Sequence, residues 1–224
     1  YLSFPNHKQL KEIINSKFSE KIPSPSSSPL WGEGKGEGER GSMRITSGAF
    51  KSRIIKAPGG IRPTLDNVRK SVFDILGERV IGARVLDLYA GSGAFGLEAL
   101  SRGAGSCVFV DNSRASVAAI RDNLQALKLS ETGEIAIIYA DSLTVMAKFA
   151  HTAGFDLIFL DPPYYKSIAK KSLSLLGECD ILTKTGIVIV EHSKHDELPA
   201  KAGELTLFRN ARYGDTEISF YRKE

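Results

Sequence analysis

The residues best suited to chemistry are Asp161-Pro162-Pro163-Tyr164. A double proline fixes a rigid turn and removes two N–H donors, so its carbonyls stay available as acceptors. The carboxylate beside it is a further acceptor, and the tyrosine offers a stacking face. An exocyclic amine on a nucleobase needs such a setting. Acceptors keep the nitrogen lone pair aimed at an electrophile while the base plane is clamped. The bland alternative is a plain strand-to-helix turn with a surface tyrosine.

A second group lies upstream. In Arg84-Val85-Leu86-Asp87-Leu88-Tyr89-Ala90-Gly91-Ser92-Gly93-Ala94-Phe95-Gly96, an apolar run holding one carboxylate enters three glycines. Small residues there let backbone N–H groups approach a ligand closely. Gly91-x-Gly93-x-x-Gly96 has the dinucleotide-binding spacing, which alone is weak evidence. Asp111, about 20 residues past the glycines, stands where a ribose-binding carboxylate belongs. With Asp87, Asp141 and Asp161 it makes four acids at or near the ends of four successive apolar runs. One such acid is usually solvated or a helix cap; four in register are harder to dismiss.

The elements that must position these groups alternate from residue 84 onward at the period of a parallel α/β sheet. Strands are expected at 84–90, 106–111, 134–140, 155–160 and 186–191. Helices are expected at 94–102, 113–127 (with Ser113 as N-cap), 142–150 and 167–176. Residues 205–212 and 216–221 alternate and join at Tyr213-Gly214-Asp215, so they read as an antiparallel hairpin. In open sheets of this kind ligands sit beyond the carboxyl ends of the strands. Upstream, 43–61 reads as a small β-hairpin turning near Gly48. A helix follows near 65–76, with Thr64 as a plausible N-cap and Val68, Val72, Phe73 and Leu76 as its apolar stripe.

The 224 residues suit one main domain with an appendage, and a 42% hydrophobic fraction supports a full core. Charge is uneven: from Met43 to Arg84 nine Lys/Arg stand against three acids. Such a segment can hold phosphates or be a solvated basic face. Cys107 and Cys179 lack metal spacing and read as buried thiols in a reducing compartment, which points to the cytoplasm. The four histidines show no metal or triad spacing, and no metal is expected. No run of about 18 apolar residues suggests a membrane span. Residues 1–42 differ. A weak helix over 4–18 gives way to Pro/Ser and Gly/Glu tracts that bury too little apolar surface to offset ordering entropy. The stretch is expected to be a disordered extension, with Met43 as the native start. Residues 43–80 then form a basic appendage and 81–224 the catalytic domain.

Asp87-x-x-x-Gly91-x-Gly93, Asp111, Asp141 and Asp161-Pro-Pro-Tyr164 together resemble the class I S-adenosylmethionine-dependent amino-methyltransferases. The basic opening Met43-Arg-Ile-x-Ser-Gly48, Arg62-Pro-Thr64-x-Asp66-x-Val-Arg69 and Arg212-Tyr-Gly-Asp215 narrow this. Over residues 43–224 the chain resembles the bacterial 16S ribosomal RNA guanine-N2 methyltransferase family. The resemblance implies a Rossmann-like sheet of five parallel strands plus the terminal hairpin, with the N-terminal hairpin and helix appended. It implies S-adenosylmethionine as cofactor and one guanine of 16S rRNA as target, in an assembling or assembled small subunit, with the enzyme a monomer. Gly91 and Gly93 would wrap the methionine part, with Asp87 near its amino group and Tyr89 close by. Asp111, beside Asn112, would take the ribose hydroxyls; Asp141, beside Ser142, would take the adenine amine. Asp161 and the Pro162 carbonyl would hold the guanine amine, with Pro163 stiffening the turn and Tyr164 stacking on the base. Arg44, Lys51, Arg53, Arg62 and Arg69 would meet RNA. An adenine-N6 methyltransferase on RNA or DNA is the alternative within enzymes. An inactive nucleic-acid-binding protein and a dinucleotide oxidoreductase are less favoured.

Overall fold

The computed structural model of the protein describes residues 12, 14, 16–18, 43–58, 66–131, 134–151, 154–163 and 168–224. A two-stranded antiparallel ribbon is formed by β1 (Met43–Arg44) and β2 (Ile54–Ile55), in register Met43 to Ile55. Helix α1 (Asp66–Leu76) follows. The alternating part then runs β3 (Arg84–Leu88), α2 (Ala94–Ser101), β4 (Ser106–Asp111), α3 (Arg114–Ala126), β5 (Ile135–Tyr139), α4 (Ser142–Phe149), β6 (Phe155–Leu160), α5 (Ile168–Cys179) and β7 (Leu182–Ser193). It ends in β8 (Lys201–Ala202), β9 (Leu205–Tyr213) and β10 (Thr216–Lys223).

One sheet has the order β5-β4-β3-β6-β7-β10-β9-β8. The five strands from β5 to β7 are parallel, and β10 joins β7 antiparallel. The expected Rossmann-like architecture with a terminal hairpin is what forms. Central strands are apolar on both faces because helices cover both. Val85, Phe109, Leu157, Phe159 and Ile189 face one core layer with α1, α2 and α3. Leu86, Leu88, Val110, Leu160 and Val190 face the other, with α4 and α5.

Strands β4 and β6 occupy the expected residues. Strand β7 is longer, because Leu182 already pairs with Phe155 across an irregular register. The short β8, which pairs only with Leu205 and Thr206, was not anticipated. The appendage packs against the sheet. Met43, Ile45, Ile55, Val68, Val72 and Phe73 share a core with the sheet, and the Phe73 ring lies 5.5 Å from that of Phe159. The Thr64 cap falls outside the described residues.

Part of the weak helix expected over 4–18 lies within the described residues. Glu12, Ile14, Ser16 and Lys17 are helical. The Phe18 ring meets Phe149 edge-on at 5.6 Å, and Lys17 and Lys148 each donate from Nζ to the other's carbonyl, at 2.6 and 2.9 Å. Aromatic contact and reciprocal hydrogen bonds offset the ordering cost there. The Pro/Ser and Gly/Glu tracts lie outside the described residues.

Candidate active site

The chain winds outward from β3 through β4 to β5, then crosses back to lay β6 on the other side of β3. That reversal makes β3/β6 the switch point, where the carboxyl ends open a crevice. Leu88 pairs with Val110 on one side and Leu160 on the other. One step further along, Tyr89, Asp111 and Asp161 therefore stand abreast. The glycine turn and the proline motif, 70 residues apart, meet here.

The turn after β3 is built from left-handed backbone. Tyr89 has φ 60°, Gly91 56° and Gly93 78°. A non-glycine residue at positive φ persists only where its surroundings hold it. The Tyr89 hydroxyl and Ser172 Oγ are 2.8 Å apart, and Tyr89 N donates to Ser142 Oγ at 3.3 Å. Burial raises the Tyr89 pKa from its ordinary value. Gly96 is needed for packing: an added Cβ would lie 2.3 Å from Phe109 Cε1 and 2.6 Å from Cys107 Sγ.

Asp111 ends β4 with one carboxylate oxygen accepting from Gly91 N and the other from Ser113 N, both at 2.8 Å. It ties the glycine turn to the next strand, and each oxygen keeps a second acceptor site for a vicinal hydroxyl. Neighbouring Asn112 is exposed. Asp141 caps α4, accepting from Thr144 N at 2.9 Å and Thr144 Oγ1 at 3.1 Å, both on Oδ2. It is exposed, so Oδ1 can serve an incoming amine. This donor and acceptor set fits S-adenosylmethionine: carboxylates for its hydroxyls, amine and cationic sulfonium, and a glycine turn open to its amino-acid end.

Three of the expected site residues are buried. Asp87 is only 2% exposed and accepts from Gly96 N at 2.9 Å, so it braces the turn from beneath. Ser142 is buried and accepts from the Tyr89 amide. Arg69 has no exposed surface. Its Nη2 donates to Asp66 at 2.8 Å and its Nε to Glu98 at 3.3 Å, which removes it from the RNA face. The signal was available: Arg69 shares the face of Val72, Phe73 and Leu76, and Glu98 is a lone acid in the apolar run Leu97–Leu100. Two misplaced charges on apolar faces point to each other.

Burial pushes the Asp87 carboxyl up to about 8, against the Gly96 hydrogen bond, and the nearby Asp111 charge adds to the rise. A folded pKa above the unfolded one means the native state holds the proton longer. The contribution to stability is then present at low pH and lost as pH rises from about 4 towards 8. Asp87→Asn should flatten that decline, which urea titrations between pH 5 and 8 would measure.

Asp161 directly follows β6 and is half-buried, Pro162 is buried, and Pro163 is exposed. Tyr164 and Arg62 lie outside the described residues. Arg44, Lys51 and Arg53 are exposed along the ribbon. Arg53 Nη2 donates to the Ala126 carbonyl at the end of α3, and Arg44 Nη1 to the Ser52 carbonyl. Glu191 on β7 is buried level with Asp161, since Leu160 pairs with Val190. A cavity of about 700 Å³ bordered by Arg79, Asp156, Lys184 and Arg222 lies near the amino ends of β3 and β6, away from these groups. Among the described residues no group of acids, histidines and cysteines is arranged to hold a metal. No helix among them is long and apolar enough to cross a membrane.

A doubly wound sheet with an acid-lined rim, a glycine turn after its first strand and Asp-Pro-Pro after its fourth defines a class I S-adenosylmethionine-dependent methyltransferase. The chain belongs to the family described as conserved hypothetical protein 95, whose model matches residues 43–222. It is similar to a Bacillus subtilis protein, YlbH, named provisionally as an rRNA methyltransferase. The two are 39% identical over 81% of this chain and 99% of the relative. It is 30% identical to the ribosomal RNA small subunit methyltransferase D of Escherichia coli, over 82% of this chain and 91% of that protein. The solved structure of an Escherichia coli protein, YhhF, provisionally called a methyltransferase, superposes with a TM-score of 0.72. It is 30% identical and the match covers 82% of this chain and 99% of that one.

Proposed function

We propose that the protein methylates the exocyclic N2 amine of one guanine in 16S ribosomal RNA. It acts as a monomer on RNA within an assembling or assembled small subunit. The observation that carries this reading is the placement of Asp161-Pro162 beside the Tyr89–Gly93 turn across the β3/β6 switch point. The name of the Escherichia coli relative supports the small-subunit substrate.

Bound S-adenosylmethionine would supply an electrophilic methyl on a sulfonium. Asp111 holds the ribose hydroxyls and Asp141 the adenine amine. The Asp161 carboxylate and Pro162 carbonyl accept the two amine hydrogens. They would draw the nitrogen lone pair out of conjugation and hold it towards the methyl. Transfer would form the N–C bond as the S–C bond breaks, leaving the electron pair on sulfur, and one amine proton would pass to the Asp161 carboxylate. No protein nucleophile is involved. The base must be splayed from its helix to enter, and Tyr164 stacks on it there. The exposed Arg44, Lys51 and Arg53 hold phosphates, and Arg62 would join them.

The test is labelled methyl donor with small-subunit particles from a strain lacking the modification, followed by nucleoside identification. N2-methylguanosine is expected; N6-methyladenosine would overturn the guanine assignment. Replacing Arg44, Lys51 and Arg53 together by alanine should weaken particle binding and flatten its dependence on salt. Each lost phosphate contact lowers the logarithmic slope by about 0.7–0.9. Filter binding across a salt series reads this directly.

A further inference from the structure

We infer that Glu98 is a positioning residue: it fastens the basic turn 46–53 to the helix that starts at the glycine turn, and so sets the RNA at a fixed distance from the methyl donor. This rests on the function proposed above. Glu98 has no exposed surface. Its two oxygens accept from Thr46 N at 2.8 Å, Thr46 Oγ1 at 2.7 Å, Ser47 N at 3.1 Å, Arg69 Nε at 3.3 Å and Arg102 Nε at 2.8 Å. Burial disfavours its charge. The hydrogen bonds from Thr46 and Arg102, with the Arg69 charge, outweigh that and hold its carboxyl below the ordinary value.

The grip is doubled one helical step later. Ala49 N donates to Ser101 O at 2.7 Å, Phe50 N to Ser101 Oγ at 2.9 Å, and Ser101 Oγ to the Ser47 carbonyl at 2.6 Å. Between these contacts Gly48, at φ 81°, lies so close that an added Cβ would fall 1.8 Å from Ser101 O. Only glycine permits that approach. Thr46, Ser47, Ala49 and Phe50 are thus held by two residues of α2, and the exposed Lys51 and Arg53 follow at once. The same helix begins at Gly93 and donates Gly96 N to Asp87. Eight residues span about 12 Å, so the phosphate-binding arm and the cofactor turn ride on one short rigid rod. Exposed turns are ordinarily mobile. A carboxylate with five donors, three of them from this turn, fixes the backbone that carries the cations rather than merely closing a hairpin.

The experiment is a double-mutant cycle on the full chain, combining Glu98→Gln with Lys51→Ala/Arg53→Ala. Glu98→Gln should raise KM for the small-subunit particle about tenfold. It should leave S-adenosylmethionine affinity and the single-turnover rate at saturating particle within about twofold. The arm substitutions should weaken particle binding in the parent protein and lose most of that effect beside Glu98→Gln, because the cations are no longer held in place. Additive effects, or equal losses for cofactor and particle, would overturn the positioning role. Should Glu98→Gln fail to fold, Gly48→Ala keeps the carboxylate but forbids the close approach, and the same particle-side loss and non-additivity are expected. A parent enzyme that makes no N2-methylguanosine overturns the proposed function instead. One that makes it, yet shows an additive cycle, overturns only the role of Glu98.

Discussion

Replacing Asp161 by alanine is expected to lower methyl transfer by at least about a hundredfold, the usual cost of losing one preorganised polar partner of the reacting group. A conjugated amine is a poor nucleophile, because its lone pair is shared with the ring. Acceptors fixed on its hydrogens favour the pyramidal geometry needed for attack. Asp161 is placed for this by β6, and Pro162 and Pro163 stop the turn from relaxing. Alanine removes the acceptor and leaves the Pro162 carbonyl alone. The proposed cofactor contacts lie on the turn after β3, the end of β4 and the cap of α4, so S-adenosylmethionine affinity should stay within about threefold. Single-turnover rates and calorimetric cofactor titration separate the two quantities. Full turnover by Asp161→Ala would end the assigned role.

Arg69→Met should destabilise the protein by about 3 kcal/mol, far more than a surface charge change. Arg69 and Glu98 are both wholly buried, at 3.3 Å. Removing the cation leaves the carboxylate without one of its two charge partners in a low-dielectric site. Arg102 and the 46–47 amides still bind it, which keeps the loss at the lower end of the usual 3–5 kcal/mol range. The Arg69 guanidinium also donates to the Arg44 carbonyl and Asp66, so its loss loosens β1 as well. For a chain of this size, the melting temperature should fall by about 6–12 °C. Lys70–Asp74 is the control: also on α1, at 2.8 Å but exposed, with side chains 61% and 52% accessible. Lys70→Ala should cost about 0.5 kcal/mol or less. Equal melting shifts for the two variants would refute the argument.

The parallel strands were legible because strands buried on both faces must hold continuous apolar runs, and 107–110 and 157–160 are such runs. The acids at their ends were legible for the same reason, since a carboxylate closing such a run has to sit at the rim. What each acid does was less legible. Asp87 and Asp111 look alike in the sequence, yet one lies beneath the turn and the other beside it. The difference is a matter of two residues in register: Asp87 pairs with Phe109, while Asp111 stands level with Tyr89. Asp141 serves as a helix cap, which the spacing to Thr144 allows but does not demand. Arg69 reads as an RNA-facing cation because its partner Glu98 lies 29 residues away on another helix. Local charge counts cannot express such a pairing. Strand β8 is two residues long and depends on β9 for its existence, so no periodicity announces it.

The crossover that sets β6 against β3 also governs when the enzyme can come into being. Val85 waits for Leu157, so the crevice has only one wall until most of the chain has left the ribosome. Contacts so distant in sequence form slowly, because the loop must close before pairing rewards it. Until then β3 presents an open, apolar edge of the sort that invites aggregation. An RNA-modifying activity is thereby withheld from the nascent chain and switched on only once the fourth parallel strand docks.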